Sequence, residues 1–292
     1  MVNGFINLNK PSGITSNKAL GILKHVLKTQ NIDLKVGHMG TLDPLATGVL
    51  PIALGRATRL FDYSLDKIKV YEAEFLFGAE SDSLDIDTEI TFHDIEEIGV
   101  DRLNDAIKSQ IGVIEQIPPM YSAKSINGVR AYKLARKGIN LDLKPKKIHI
   151  YNITLIEKTG KNKFKMQIEC GAGTYIRSLG RDIAEKLGTT AVMCSLIRTK
   201  SGTFDLSSCV DLKSLEENPC DIMNKVIPIE RFLEVFPLTD ITTDEKQKLL
   251  NGIRIPINPT IDGFCAVRCN GDYIGIGKND DNGNFYIKTW LL

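Results

Sequence analysis

The chain has 292 residues, of which 42% are hydrophobic and 25% charged, and its formal net charge is +1. This composition is typical of a globular protein with a hydrophobic core and argues against a disordered chain. No apolar run reaches the roughly 18 residues that a transmembrane helix requires, and the first residues do not resemble a secretion signal. The six cysteines are too sparse for a disulfide framework and lack zinc-site spacing, so we expect buried thiols in a cytoplasmic protein.

The charged residues are unevenly distributed along the chain. Residues 80–105 contain ten acidic residues against one basic residue, whereas residues 124–147 contain eight basic residues against one acidic residue. A basic segment in a near-neutral protein is typical of a phosphate-binding surface, although two solvated loops of opposite charge would give the same pattern. Because Pro118 and Pro119 open the basic segment, we interpret residues 118–147 as an insertion outside the core.

Apolar periodicity predicts strands and helices over the first 236 residues. In chain order these are a strand at 4–8, a helix capped by Thr15 or Ser16, a strand at 70–77, a helix carrying Leu103, Ala106, Ile107 and Ile111, strands at 148–156 and 164–170, a helix at 175–187 and a strand at 191–199. Residues 49–54 fit either a strand or a buried helix, and residues 130–137 fit a short helix. We therefore predict an α+β fold, with a mixed, largely antiparallel sheet flanked by helices.

A second unit is predicted from Pro237 onward. Thr243 caps a short helix that ends at Gly252, and three strand-like runs follow, separated by Asn-Gly pairs at 270–271 and 282–283. Asn-Gly between apolar runs is a strong hairpin signal. The chain is thus divided into a domain of residues 1–236 and a small β-rich domain of residues 237–292, which is expected to pack on the first.

Residues 37–48 hold the strongest candidate for chemistry. They place one imidazole, His38, and one carboxylate, Asp43, in a loop whose glycines and proline specify a defined backbone path. Such a carboxylate can act as nucleophile, general base or metal ligand, but aspartate before proline is also a common turn residue. A metal is not expected, because no second carboxylate or histidine lies at ligand spacing.

Residues 171–174 (Gly-Ala-Gly-Thr) precede a predicted helix and favour a phosphate site at its N-terminus. They lack the remaining residues of the nucleotide-binding motifs, so a nucleotide-dependent enzyme is a distant alternative. Arg177 can pair with a carboxylate or a phosphate, or lie on the surface. Taken alone, Tyr71 reads as a core or cross-strand aromatic residue.

Three segments together resemble one family. Residues 10–16 (Lys-Pro-Ser-Gly-Ile-Thr-Ser), 37–50 (Gly-His-Met-Gly-Thr-Leu-Asp-Pro-Leu-Ala-Thr-Gly-Val-Leu) and 173–179 (Gly-Thr-Tyr-Ile-Arg-Ser-Leu) match in order the motifs of the bacterial tRNA pseudouridine-55 synthases of the TruB type. The resemblance covers essentially the whole chain and implies the pseudouridine synthase fold, the basic insertion and a C-terminal PUA-like RNA-binding domain. Met39 is a departure, since many members carry threonine there, and it concerns the packing of the loop.

The resemblance also implies roles for individual residues. Asp43 would be the nucleophile that converts uridine to pseudouridine, Tyr71 would stack on the uracil and help to remove its C5 proton, and Arg177 would hold Asp43 ionised and oriented. His38 would fill or brace the space that the base leaves in the RNA stack, Leu196 would pack against the flipped base, and Lys10 would support the active-site loop. Attack at C6 of the base and attack at C1′ of the ribose both remain open.

The implied substrate is uridine 55 in the T-loop of tRNA, flipped out of its stack at a cost of roughly a few kcal/mol. Moving the glycosidic bond from N1 to C5 involves no net redox change, so no cofactor is expected. The chain would act as a monomer on the T-arm, without an obligate protein partner or a membrane. Salt-sensitive contacts to the RNA backbone would come from Lys124, Arg130, Lys133, Arg136 and Lys137.

Two further alternatives remain open. One is an RNA-binding module or chaperone without catalysis, against which the intact Asp43 argues. The other is the related guide-RNA-dependent synthase that works inside a multi-protein particle. The basic insertion and the short segment after Trp290 fit the stand-alone type better.

Overall fold

Strands dominate the structure, and helices cover part of their surface. The computed structural model describes residues 2–64, 68–121, 125–126, 129–130, 143–257 and 261–292. Its strands are β1 (Gly4–Lys10), β2 (Val36–His38), β3 (Thr47–Leu54), β4 (Lys69–Phe77), β5 (Ala79–Glu80), β6 (Thr91–Phe92), β7 (Gly112–Gln116), β8 (Ser125–Ile126), β9 (Val129–Arg130), β10 (Lys146–Gly160), β11 (Lys163–Cys170), β12 (Ala191–Ser201), β13 (Phe204–Asp205), β14 (Val210–Asp211), β15 (Ile227–Pro228), β16 (Leu238–Ile241), β17 (Ile255–Pro256), β18 (Cys265–Cys269), β19 (Asp272–Asn279) and β20 (Asn284–Trp290).

The α-helices of the described residues are α1 (Ser16–Thr29), α2 (Val100–Lys108), α3 (Ile176–Lys186), α4 (Leu212–Glu217), α5 (Ile229–Leu233) and α6 (Thr243–Leu250). Short 3-10 segments are Gly55–Ser64, Leu206–Ser208 and Pro219–Lys225. Among the described residues, no helix combines the length and the apolar character needed to cross a membrane.

Eleven strands form one mixed sheet, whose main path runs β14-β1-β3-β12-β4-β11-β10-β7. Neighbours are mostly antiparallel, but β1 pairs with β14 and β3 pairs with β12 in parallel. The main core cluster contains residues of α1, α2 and α3 packed with strand residues such as Phe75 and Met166. The predicted α+β class with a mixed, largely antiparallel sheet is confirmed.

The apolar run that fits a strand or a helix is β3. Its Leu50 and Ile52 belong to the main core cluster, whereas Val49 and Ala53 belong to a second cluster that contains Phe232 of α5. A strand covered on both faces is apolar at nearly every position, so it lacks the alternation that identifies a half-buried strand.

Two local predictions need correction. Helix α2 ends at Lys108, so Ile111 lies beyond it and is exposed, because the chain turns at the hydrogen bond from Gln110 N to Ile107 O. The helix predicted over 130–137 begins at a residue whose backbone lies in β9, and residues 131–137 lie outside the described part of the chain.

The C-terminal strands form a separate five-stranded sheet in the order β16-β18-β19-β20-β17. Its core contains Val267, Ile274 and Phe285. Asn270 and Gly271 have φ values of 52° and 87°, as a tight hairpin turn between β18 and β19 requires. Helix α6 is capped by Thr242, not by Thr243, because Thr242 and Glu245 form a reciprocal capping box.

The C-terminal sheet contacts the 3-10 segment that follows β3. Arg56 Nη1 donates to Leu291 O at 3.0 Å, and Arg59 Nη1 donates to Trp290 O at 2.7 Å. The hydroxyl groups of Tyr63 and Thr289 lie 2.6 Å apart. The rings of Tyr63 and Phe264 also meet edge to face, with centroids 5.0 Å apart, so the small unit is packed on the larger one through both hydrogen bonds and a ring contact.

Candidate active site

The loop that carries Asp43 joins β2 to β3, and side chains of β1 and α1 hydrogen-bond to its backbone. Lys10 is fully buried, and its Nζ donates to the carbonyl oxygens of Pro11 and Ile14, both at 2.7 Å, and of Pro44 at 3.2 Å. Ser16 Oγ accepts from Leu42 N at 2.8 Å and donates to Leu42 O at 3.0 Å. Burial lowers the pKa of Lys10 to about 8, although the Asp43 charge opposes this shift. The residues on both sides of Asp43 thus have fixed positions.

Arg177, at the start of α3, connects Asp43 to a second carboxylate. Its Nη2 lies 3.0 Å from Asp43 Oδ1, and its Nη1 lies 3.2 Å from Asp85 Oδ2. The guanidinium also donates to Ser83 O at 2.8 Å and to Tyr121 O at 2.9 Å. Since the Arg177 side chain is only 6% exposed, these partners satisfy a buried charge.

The two carboxylates differ in access. The Asp43 side chain keeps 32% of its surface open to the cleft, whereas that of Asp85 keeps 2%. Depth in the fold nevertheless raises the pKa of Asp43; the Arg177 charge acts to lower this pKa, and the Asp85 charge acts to raise it. Asp43 is therefore the carboxylate that a ligand can reach.

Strands β4 and β12 supply the wall beside Asp43. Across this antiparallel pair, Tyr71 faces Arg198 and Ala73 faces Leu196. Tyr71 is 7% exposed and Leu196 is 5% exposed. Burial raises the pKa of Tyr71, while the charge of Arg198 and hydrogen bonding to it act in the opposite direction.

These side chains line a cleft of about 400 Å³, within the usual range for small-ligand sites. Loop residues 39–42 form one wall, and residues 171–176 form another. Lys69 and Lys146 also lie on the lining. Over the described ranges, no group of three His, Cys, Asp or Glu side chains is arranged to hold a metal ion.

The structure brings most of the candidate residues together. Asp43, Tyr71, Arg177 and Leu196 line the cleft, and Lys10 lies beneath its loop. His38 lies on β2 and is not part of the lining; its Nδ1 is buried and has no hydrogen-bond partner among the described residues. Burial lowers the pKa of His38, and the Arg198 charge adds to this effect.

The basic insertion is only partly described. Lys124, Lys133, Arg136 and Lys137 lie outside the described residues, and for Arg130 only the backbone, in β9, is described. Their contacts with RNA remain predictions.

Four residues at the site were not predicted from the sequence. They are Asp85, Arg198, Lys69 and Lys146. Arg198 lies two residues after Leu196, so the alternation of a strand would have placed it on the same face. Asp85 belongs to an acidic run that reads as a solvated loop, and no sequence signal distinguishes it.

Comparisons with known proteins agree on the family. Residues 24–176 match the model of the TruB family pseudouridylate synthase N-terminal domain, and residues 177–234 match that of the tRNA pseudouridylate synthase B C-terminal domain. A Clostridium perfringens protein named tRNA pseudouridine synthase B is 38% identical over 100% of this chain and 99% of its own length. A Dehalococcoides mccartyi protein of the same name is 40% identical over 89% of this chain and 86% of its own length.

Solved structures support the fold. A chain of a Cbf5-Nop10-Gar1 complex aligns with a TM-score of 0.75 at 24% identity, over 99% of this chain and 85% of that chain. The matched family models, the relatives at full length and the aligned fold lead to one conclusion: the chain belongs to the TruB family of pseudouridylate synthases and is an isomerase.

Proposed function

We propose that this enzyme converts uridine 55 in the T-loop of tRNA to pseudouridine, with Asp43 as the nucleophile. The single observation that carries the proposal is the position of Asp43: its carboxylate opens into the cleft while Arg177 holds it at 3.0 Å. The names of the full-length relatives support tRNA as the substrate.

The reaction breaks the bond between N1 and C1′ and forms a bond between C5 and C1′. The C5 proton is lost and N1 gains a proton, so atoms and electrons balance without a redox partner. An ionised Asp43 can hold the intermediate covalently, through C6 of the base or through C1′ of the ribose, while the uracil turns. Arg177 favours the ionised form that this step requires.

The cleft residues have complementary roles in this proposal. Tyr71 stacks on the flipped uracil and accepts the C5 proton, and Leu196 packs against the base. His38 braces the space that the base leaves, and burial, which lowers its pKa, favours the neutral imidazole. Lys10 supports the loop through its three carbonyl contacts.

RNA binding extends beyond the cleft. Residues 118–147 and the C-terminal unit, residues 237–292, are proposed to contact the T-arm backbone, the latter as a PUA-like domain. Lys146, on the cleft lining, belongs to the basic segment and links it to the site. The enzyme acts as a monomer in this proposal.

Site mapping tests the substrate directly. The purified chain is incubated with a T-arm transcript and with a matched transcript that carries cytidine at position 55, and pseudouridines are mapped. We expect one pseudouridine, at position 55, in the first transcript and none in the second. Modification of other uridines with position 55 untouched would refute the assignment.

A further inference from the structure

Arg198 is a buried cation beside the cleft with no role in the proposed reaction as described above. Its side chain, on β12, is 1% exposed, which makes it the largest fully buried side chain of the described residues. No carboxylate of the described residues forms an ion pair with it; its hydrogen bonds go to backbone carbonyl groups, and Tyr71 is its cross-strand neighbour. Hydrogen bonds rather than a counter-charge therefore satisfy this buried cation. Because it also lines the cleft, where buried charges often serve function, it is a candidate for a role in the reaction.

The hydrogen bonds of Arg198 reach the catalytic loop at both ends. Nε donates to Val49 O at 2.7 Å, while Nη1 donates to Thr41 O at 3.4 Å and Nη2 to Gly40 O at 3.3 Å. Two of these carbonyl groups precede Asp43 in the chain, and the third follows it on β3. One guanidinium therefore spans the loop that presents the nucleophile.

The same residue contacts the opposite side of the site. Arg198 is the cross-strand partner of Tyr71, and both its charge and hydrogen bonding to it act on the Tyr71 phenol. A positive charge beside a phenol oxygen stabilises the phenolate, the form that can accept a proton. Arg198 is thus the common neighbour of the Asp43 loop and of the proposed proton acceptor.

The backbone at Arg198 adds a constraint of its own. Arg198 is the Cα partner of Gly48 in the parallel pair of β12 and β3, and a Cβ on Gly48 would lie 2.3 Å from Arg198 O. Glycine is therefore required at position 48. The close approach of β3 and β12 at this point brings the Arg198 guanidinium within reach of the loop carbonyl groups.

We propose that Arg198 is a positioning residue of the isomerisation, a role that rests on the proposed function. Its guanidinium holds the Asp43 loop and Tyr71 in one relative position, and its charge favours the phenolate form of Tyr71, which accepts the C5 proton. The fork of several N–H donors serves this purpose, whereas the single ammonium group of lysine cannot bind the three carbonyl groups and the phenol in the same geometry.

The test measures the rate constant of pseudouridine formation on a T-arm transcript, with enzyme in excess and across pH, for Arg198→Gln and Arg198→Lys. Arg102→Gln is the matched control, since Arg102 Nη2 also donates to a backbone carbonyl, Leu187 O at 2.6 Å, away from the cleft. We expect Arg198→Gln to lower the rate constant roughly 100-fold without loss of RNA affinity. Arg198→Lys, which keeps the charge and a folded chain, is expected to recover part of the rate.

The pH profile separates positioning from folding. Without the Arg198 charge, the pKa of the Tyr71 phenol rises, so the part of the profile that depends on Tyr71 moves to higher pH in Arg198→Gln. Arg198→Lys, assayed in the same way, moves it less. The proposal would be overturned if both Arg198 variants kept the wild-type rate constant and pH profile. It would also be overturned if their rate constants fell only in proportion to a lower melting temperature, with no more specific effect than Arg102→Gln shows.

Asp43→Asn, assayed in the same experiment, separates a failure of the Arg198 proposal from a failure of the proposed nucleophile. If Asp43→Asn is inactive while both Arg198 variants behave as the wild type, only the positioning role fails. If Asp43→Asn keeps its turnover, the proposed nucleophile fails first.

Discussion

Arg177 lies 3.0 Å from Asp43, and the other arm of its guanidinium binds Asp85, which is closed to solvent. The buried Asp85 thus fixes the position of the Arg177 guanidinium, which in turn binds the accessible Asp43. This arrangement fixes the Asp43 carboxylate without covering it. It also couples the ionisation of Asp43 to the charge of Asp85.

Replacing Asp85 by Asn is expected to move the acid limb of the rate–pH profile to lower pH. The Asp85 charge raises the pKa of Asp43, so its removal lets Asp43 stay ionised in more acidic solution. The fold should lose about 1–3 kcal/mol, because Arg177 loses a charged partner. Single-turnover rates and urea unfolding measure the two effects. Asp82→Asn, an exposed carboxylate on the same loop, should change neither; an unshifted limb in Asp85→Asn would refute the coupling.

Lys10→Met is expected to move the same acid limb in the opposite direction. The Lys10 charge lowers the pKa of Asp43, so without it Asp43 takes up a proton at higher pH and activity is lost sooner on acidification. Three carbonyl groups also lose their donor, with an expected loss of roughly 2–3 kcal/mol or more in the free energy of unfolding. Lys18→Met, on the exposed side of α1, is the control. A limb that moves to lower pH would contradict the assignment.

Gly48→Ala should disrupt the site, whereas Gly13→Ala should be mild. Both glycines have positive φ, at 99° and 82°, so both substitutions carry backbone strain of about 1–2 kcal/mol. Only at position 48 would the new Cβ meet a backbone oxygen, at 2.3 Å, whereas at position 13 nothing lies within 4 Å. Melting temperatures and turnover rates of the two variants should therefore distinguish the cost of backbone strain, which both share, from the steric clash, which only Gly48→Ala introduces. Equal effects of the two substitutions would show that the contact with Arg198 is unimportant.

Charge removal in the insertion should flatten the salt dependence of RNA binding. The change replaces Arg130, Lys133, Arg136 and Lys137 by glutamine. Each lost phosphate contact should reduce the slope of log affinity against log salt by about 0.7–0.9. Binding titrations of a T-arm transcript over a range of salt concentrations measure this slope. Lys213→Gln with Lys225→Gln, on the surface near α4, is the control, and an unchanged slope in the fourfold variant would show that the insertion does not bind the backbone.

Helix caps and tight turns could be predicted from the sequence, because each depends on a residue type with a specific backbone role. Thr15 caps α1 by accepting from Lys18 N at 3.1 Å, and the turn at Asn270 and Gly271 closes a hairpin as predicted. The elements between β13 and α5 were not predicted. They are two to seven residues long, too short for a periodic pattern to form.

Residues that act through distant partners were harder to recognise. The two motifs at residues 37–50 and 173–179 singled out Asp43 and Arg177, but no local pattern showed that these residues, 134 positions apart, are in contact. Asp85 was recognisable only from the tertiary structure, because an aspartate in an acidic run is ordinarily a solvated loop residue. For Arg198, strand alternation indicates the face on which it lies, but only the structure shows that its side chain is buried.

Pseudouridine formation by Asp43→Asn on the T-arm transcript shows whether Asp43 is the nucleophile for uridine 55. Asp221→Asn serves as the matched control, because Asp221, on the 3-10 segment Pro219–Lys225, is also a half-exposed carboxylate paired with a cation, Lys225. The account predicts a folded, RNA-binding Asp43→Asn chain that forms no pseudouridine within many wild-type turnover times, and a fully active Asp221→Asn chain. Turnover by Asp43→Asn at a rate near that of the wild type would contradict it.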